Sequence, residues 1–316
     1  MTLGERLAAR AYDRLFPRWR PRAAHRATAP LAAGGVRITW LGTAGHVVST
    51  GDTTILLDPY VSRPGFGRLA RRRLEPDEHA ISQWIPPHVD AVLCGHSHFD
   101  HLLDAPRIAL LRGARLAGSP STCNVARASG VADGDLVVVP PSGLRFTVGD
   151  IDVRFVPSLH GRIALGRVPF PGEIERHPGL PARAWHYRMG GAFGILLTTK
   201  SGVRIYHNGS ADLVDAELDG EHADVLLVGL AGRQATRDYL ARLTDALSPD
   251  LIVPTHHDAF FAPLEEGLRL LPGIDLDGFV AEAERLCPRA SKLLPGYGEV
   301  IQVHPREARG ATLVRS

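Results

Sequence analysis

The sequence predicts a mixed α/β (α+β) fold around a sizeable sheet core. Three observations predict it. Short runs rich in Val, Ile and Leu recur from Val36 to Pro254, separated by Gly, Pro, Asp and Ser, as strands are. Amphipathic stretches fall between these runs, so strands and helices mix along the whole body. The 316 residues are 44% hydrophobic and 22% charged, enough for a core and against wholesale disorder.

Residues 3–19 read as a helix. Leu3, Leu7, Ala11 and Leu15 recur at i, i+4 steps, with Tyr12, Phe16 and Trp19 alongside, and Pro17 and Pro21 end it. Its polar face is rich in Arg. That face suits either water, with the helix docked on the body, or peripheral contact of residues 1–22 with an anionic membrane. Residues 27–35 read as a linker, which divides the chain into an N-terminal segment 1–34 and a body 35–316.

Within the body, Val36–Trp40, Thr53–Asp58, Ala91–Cys94, Leu136–Val139, Leu144–Val148 and Ile151–Pro157 read as strands. Phe193–Thr199 and Val203–His207, joined through Lys200-Ser-Gly202, form a hairpin signature. Val225–Val228 and Leu251–Pro254 are the continuous apolar runs of strands buried on both faces. Helices fall at Leu102–Leu111, Thr236–Leu247 and Asp277–Leu286. Residues 161–191 hold ten Gly or Pro among 31 positions, a long loop of the functional kind, and carry Arg162, Arg167, Arg176, Arg183 and Arg188.

Charge narrows the function. The net charge is +2, but residues 1–30 hold seven Arg against Glu5 and Asp13, so the rest is slightly acidic. A nucleic-acid partner, which needs a basic footprint, is not expected. No run approaches the ~20 apolar residues of a spanning helix. Arginines interrupt any signal-peptide core, and the three cysteines (Cys94, Cys123, Cys287) form neither a C-x-x-C nor an even set. A cytoplasmic protein fits, with the inner membrane surface as an alternative site of residence. Gly65-Phe-Gly67-Arg-Leu-Ala70 has the letters of a dinucleotide fingerprint but does not directly follow a strand, so no nucleotide site is expected. Arg71-Arg-Arg73 reads as a solvated basic cluster.

The chemistry lies in Gly95-His96-Ser97-His98-Phe99-Asp100-His101, between the apolar run Ala91–Cys94 and the helical run from Leu102. In extended chain, residues two apart point the same way, so His96 and His98 can grip one ion. Asp100 and His101, where the chain turns into a helix, face a neighbouring point. Three imidazoles and a carboxylate at this spacing suit a divalent transition metal.

At these residues the chain resembles the metallo-β-lactamase superfamily, whose signature is H-x-H-x-D-H. Ile38-Thr-Trp-Leu-Gly-Thr-Ala-Gly45 and Thr54-Ile-Leu-Leu-Asp58-Pro-Tyr60 resemble its opening hairpin. The similarity spans about residues 35–304 and is strongest to the branch of L-ascorbate-6-phosphate lactonase and N-acyl-phosphatidylethanolamine phospholipase D. It implies a four-layer αββα sandwich with metals at the sheet edge. It also implies the remaining ligands. His160 completes the first triad with His96 and His98. His256, in Pro254-Thr-His-His257-Asp258, joins Asp100 and His101 at a second ion. Ser210 stands where the family usually has a bridging Asp, so Asp212 is taken as the bridge. Asp58 is expected to orient the metal loop, and His207, His257 and Arg162 to stand behind the ligands or toward substrate.

Two divalent ions, zinc or manganese with iron as an alternative, can share a water and lower its pKa. Asp100 and His101 are the candidates for catalytic roles. The resemblance therefore implies a metal-dependent hydrolase of a small anionic ester, lactone or phosphodiester. The alternatives are a phospholipase-D-like phosphodiesterase at a membrane surface and an iron-dependent redox member of the fold. A homo-oligomer stays open.

Overall fold

The computed structural model describes residues 11–19, 31, 33–65, 69, 73–163, 166–176, 179–305 and 311–314. Arg71, Arg72, His177 and residues 3–10 of the expected helix 3–19 lie outside the described residues, as does part of the Gly65–Ala70 stretch.

Two sheets face each other. The first contains β1 (Val36–Gly42), β2 (Gly45–Ser49), β3 (Thr54–Leu57), β4 (Ala91–Leu93), β5 (Arg115–Gly118) and β6 (Leu136–Val138), with β14 (Val300–Val303) and β15 (Ala311–Val314) beyond β1. The second contains β7 (Leu144–Val148), β8 (Ile151–Ser158), β9 (Ala192–Thr199), β10 (Arg204–Asn208), β11 (Val225–Gly229), β12 (Leu251–Thr255) and β13 (Ser291–Lys292) in sequence order across the sheet. Each sheet is mixed. Hairpins pair antiparallel at one side, while β3 to β6 and β10 to β13 run parallel. The parallel strands are covered on both faces, which is why they read as unbroken apolar runs.

Three buried clusters mark the layers. Ile38, Leu57 and Leu93 from the first sheet meet Phe155, Ile195, Leu227 and Val253 from the second. Leu56, Val92 and Leu116 turn outward onto the helices α1 (Glu78–Trp84), α2 (Phe99–Leu102), α3 (Ala105–Arg112) and α4 (Pro120–Ala128). Leu196, Leu226 and Ile252 turn outward onto α5 (Tyr239–Leu247) and α6 (Leu276–Leu286). This is the αββα sandwich expected from the sequence.

Several local expectations are corrected. The helix expected over Leu102–Leu111 is two helices, because the chain breaks at Leu103-Asp104 and α3 restarts with Pro106 in its first turn, where a missing N–H costs nothing. The helix expected from Thr236 begins at Tyr239. The helices α1 and α4 and the strands β5, β13, β14 and β15 escaped the sequence reading: α1, for one, shows only a brief apolar pattern, and its start is fixed by Asp77, which accepts from His79 N and Ala80 N. Residues 11–15 are helical, and after Pro17 the chain pairs with the body: Trp19 N donates to Leu268 O and Leu270 N to Pro17 O.

Candidate metal centre

The C-terminal ends of β4, β8 and β12 and the chain leaving β10 converge at one edge of the sandwich. β4 ends at Leu93, and Gly95 follows within a tight approach. A Cβ there would sit 3.0 Å from Phe193 O and 3.3 Å from Asp58 Oδ2, so only Gly lets the backbone pass so near Asp58. Its N–H donates to Asp58 Oδ1 at 2.6 Å. His98 then caps α2, which places Asp100 and His101 in a first helical turn, facing a different point from His96 and His98.

Two groups of donors result. His96, His98 and His160 form one, and Asp100, His101 and His256 the other; in each, one donor atom per residue lies within 4.8 Å of the others. The groups abut, since the rings of His96 and His101 are 3.8 Å apart between centroids. His256 Nε2 lies 3.3 Å from Asp100 Oδ2.

Most of these imidazoles are oriented from behind. His98 Nε2–H donates to Pro169 O at 2.8 Å, and His160 Nδ1–H to Gly161 O at 2.7 Å. A carbonyl can only accept, so each contact fixes the tautomer and leaves the other nitrogen as a lone pair for the group. Asp58 Oδ2 lies 3.1 Å from His101 Nδ1 and accepts from His207 Nε2 at 2.9 Å. His96 Nε2 is buried and has no hydrogen-bond partner. An orphaned buried nitrogen beside five other metal-type donors fits a cation.

The electrostatics agree with that fit. Burial, then the neighbouring imidazoles with His101 foremost, pushes His96 well below its ordinary pKa. Burial lowers His98 as well, and burial with His98 nearby brings His160 to about 3. The first group is thus neutral, the form that binds metal. His101 behaves oppositely. Burial disfavours its charge, but Asp58 and Asp100 outweigh burial and raise its pKa. For Asp100, burial would raise the pKa, yet His101 and His256 hold it below the usual carboxylate range.

The structure brings six of the seven expected ligands together. Asp212 is the correction. Its Oδ1 accepts from Leu213 N and faces Arg242 Nη1 at 3.9 Å, and its carbonyl accepts from Ser158 Oγ and Asn208 Nδ2. It belongs to neither donor group. Ser210 is buried, donates through Oγ to Leu159 O, and accepts at its carbonyl from Gly161 N, on either side of His160.

The other expected residues are placed as follows. Asp58 and His207 stand behind His101. His257 is fully buried with its ring stacked on Trp40 at 4.6 Å and belongs to neither donor group. Arg162 is exposed, two residues beyond His160.

Sequence reasoning missed the support under His256. Asp258 accepts from Thr43 N, Arg63 Nη2 and Tyr297 Oη. His256 N donates to Thr43 O at 2.7 Å, so this network anchors a ligand-bearing backbone held at φ 52°. Breaking such a fully buried ion pair from one side costs ~3–5 kcal/mol. Asp258 was visible beside the two histidines, but Arg63 and Tyr297 carry no local signal. The same loop is held from outside by residues 11–19. Arg269 Nη1 donates to Asp13 Oδ1 and Phe16 O, its carbonyl accepts from Ala259 N, and the rings of Phe16 and Phe261 lie 6.2 Å apart.

Residues 37–256 match the family model of the β-lactamase superfamily domain. A relative from Polaromonas sp., described as a UPF0173 metal-dependent hydrolase, is 28% identical over 242 residues, covering 74% of this chain and 82% of the relative. Among solved structures, Igni18, a metallo hydrolase from Ignicoccus hospitalis, superposes with a TM-score of 0.53 at 17% identity, covering 85% of this chain and 99% of that one. CmlA, a diiron β-hydroxylase from Streptomyces venezuelae, gives 0.52 at 14% identity over 87% of this chain and 55% of its own. These two likenesses are of fold.

Proposed function

The chain belongs to the β-lactamase superfamily, and from that premise we propose that it is a metal-dependent hydrolase of an ester, lactone or phosphodiester. The observation that carries this reading is the abutment of two His/Asp triads through His96 and His101, 3.8 Å apart. His96, His98 and His160 would hold one divalent ion and Asp100, His101 and His256 a second, with zinc or manganese matching these N and O donors. Such ions supply Lewis acidity and a water of lowered pKa.

The chain's own residues supply the rest. The carbonyls of Pro169 and Gly161 and the Asp58 carboxylate fix three imidazoles before any substrate arrives, so little reorganisation remains for the reaction. Asp100 is ionised, since His101 and His256 outweigh its burial. It can accept the proton released as the water oxygen bonds to the carbonyl carbon or phosphorus, and return it to the leaving oxygen as that bond breaks. Cys94 and Cys123 do not compete as nucleophiles: burial raises Cys94 well above its ordinary pKa and Cys123 to about 11. Arg162, exposed beside the first triad, can meet negative charge on the substrate.

The test is a turnover assay on protein loaded with zinc, manganese or iron, with His96→Ala as the blank. Chromogenic phosphodiesters, carboxylic esters and a lactone panel form the substrate set. Turnover that needs metal and vanishes in the variant is expected. No metal-dependent turnover across the set would overturn the reading.

A further inference from the structure

A cleft of about 660 Å³ is lined by Arg162 and Ile163, two and three residues beyond His160, and by Ala231, Ala235, Leu271 and Ile274 among others. We propose that this cleft is a subsite for an apolar acyl chain, so that the compound hydrolysed is an acyl derivative with its polar carboxyl end toward the triads. This rests on the hydrolase reading above and deepens it.

Position is the first argument. The loops that wall the cleft are those leaving β8, β11 and β12, and two of them carry His160 and His256. Arg162 and Ile163 follow His160 after a single residue. Gly232, at φ +89°, is packed so closely that a Cβ would lie 3.3 Å from Ile163 Cγ1 and 3.7 Å from Gly161 C. Leu271 N donates to His257 O, next to His256. The cleft is therefore built from the same loops that set two of the donors.

Chemistry is the second argument. The volume falls within the ~300–1,000 Å³ typical of small-molecule sites, and such sites combine apolar walls with few polar groups. Here the walls are mostly aliphatic, with Arg162 and Gln234 as polar members. Apolar side chains are also exposed close to the first triad. Leu159 is 51% exposed, Ile163 50% and Phe170 38%, and the Phe170 ring lies 6.4 Å from that of His98. Leu159 and Ile163 lie one and three residues from His160 in the chain, so exposed apolar side chains adjoin two ligands of the first triad. A wholly polar substrate would leave this surface unused, whereas an acyl chain would cover it while Arg162 meets an anionic head.

The experiment measures binding apart from turnover. Acetate, butyrate, hexanoate and octanoate, all monomeric, are titrated calorimetrically into metal-loaded protein, and p-nitrophenyl esters of the same lengths are assayed in parallel. Each methylene entering the cleft should raise affinity about fourfold. Ala235→Trp, at an exposed position that fills the cleft, should flatten this dependence, and Ile163→Ser should weaken it; circular dichroism checks that both variants fold. A flat series in the wild type, or the same slope in the folded variants, would overturn the subsite. Chain-length-dependent binding with no ester turnover would leave the subsite standing and count against the hydrolase reading. Turnover without chain-length dependence would do the reverse.

Discussion

Asp58 Oδ2 stands 3.1 Å from His101 Nδ1, both side chains buried, and the same oxygen accepts from His207. Oδ1 accepts from Gly95 N, so one carboxylate fixes both an imidazole and the backbone that begins the histidine run. Burial would raise the Asp58 pKa, but His101 and His207 hold it below the usual range. Asp58→Asn keeps the shape and removes the charge. It should weaken metal binding at the Asp100/His101/His256 group by ~10–100-fold while leaving the other group nearly intact. Competition with a chromophoric chelator reads the two steps separately, and equal loss at both would contradict this role.

Asp212 gives the opposite expectation. It lies outside both donor groups and faces a partly exposed Arg242. Asp212→Asn should leave metal stoichiometry at its wild-type value and change stability by less than ~1 kcal/mol. Loss of one metal equivalent in this variant, by elemental analysis, would restore Asp212 as a ligand.

Asp104 offers a pH test away from the ligands. It is fully buried and accepts from Val61 N, Ser62 N and Ser62 Oγ. Burial outweighs those contacts and raises its pKa to about 6. The folded chain therefore holds this proton more tightly than the unfolded chain, whose Asp titrates near ~3.9. The resulting stability is fully present below about pH 4 and is lost as pH rises through about 6. Against Asp104→Asn, the wild type should lose on the order of 2–3 kcal/mol across that window. Urea midpoints of the two proteins from pH 3.5 to 7 check it, and parallel curves would contradict it.

Arg269 connects the N-terminal segment to the loop that carries His256. Its guanidinium holds Asp13 and Phe16 O, and its carbonyl accepts from Ala259 N. Arg269→Ala should cost ~1–3 kcal/mol through lost buried hydrogen bonds. It should also reduce metal affinity at the second group more than at the first. Thermal melts with and without metal measure both effects. Unchanged affinity at both groups would make residues 11–19 a cover without influence on the site.

The chain-order features of this protein were determined by its sequence. Alternating apolar runs set the two-sheet class, and the spacing of His96, His98, Asp100 and His101 set a metal site at the end of β4. Those signals are local: strand periodicity and a strand-to-helix turn act over a few residues. Tertiary structure alone decided what depends on distant segments meeting. It placed His160 and His256 against the histidine run and put Asp212 elsewhere, although carboxylate chemistry favoured it over Ser210, which holds the usual position. It also enlisted Arg63 and Tyr297 under Asp258, and laid residues 11–19 over the same loop. The physical reason is that buried carboxylates and imidazoles must find partners wherever the packed sheets bring them, and no pattern along the chain records which partners those are.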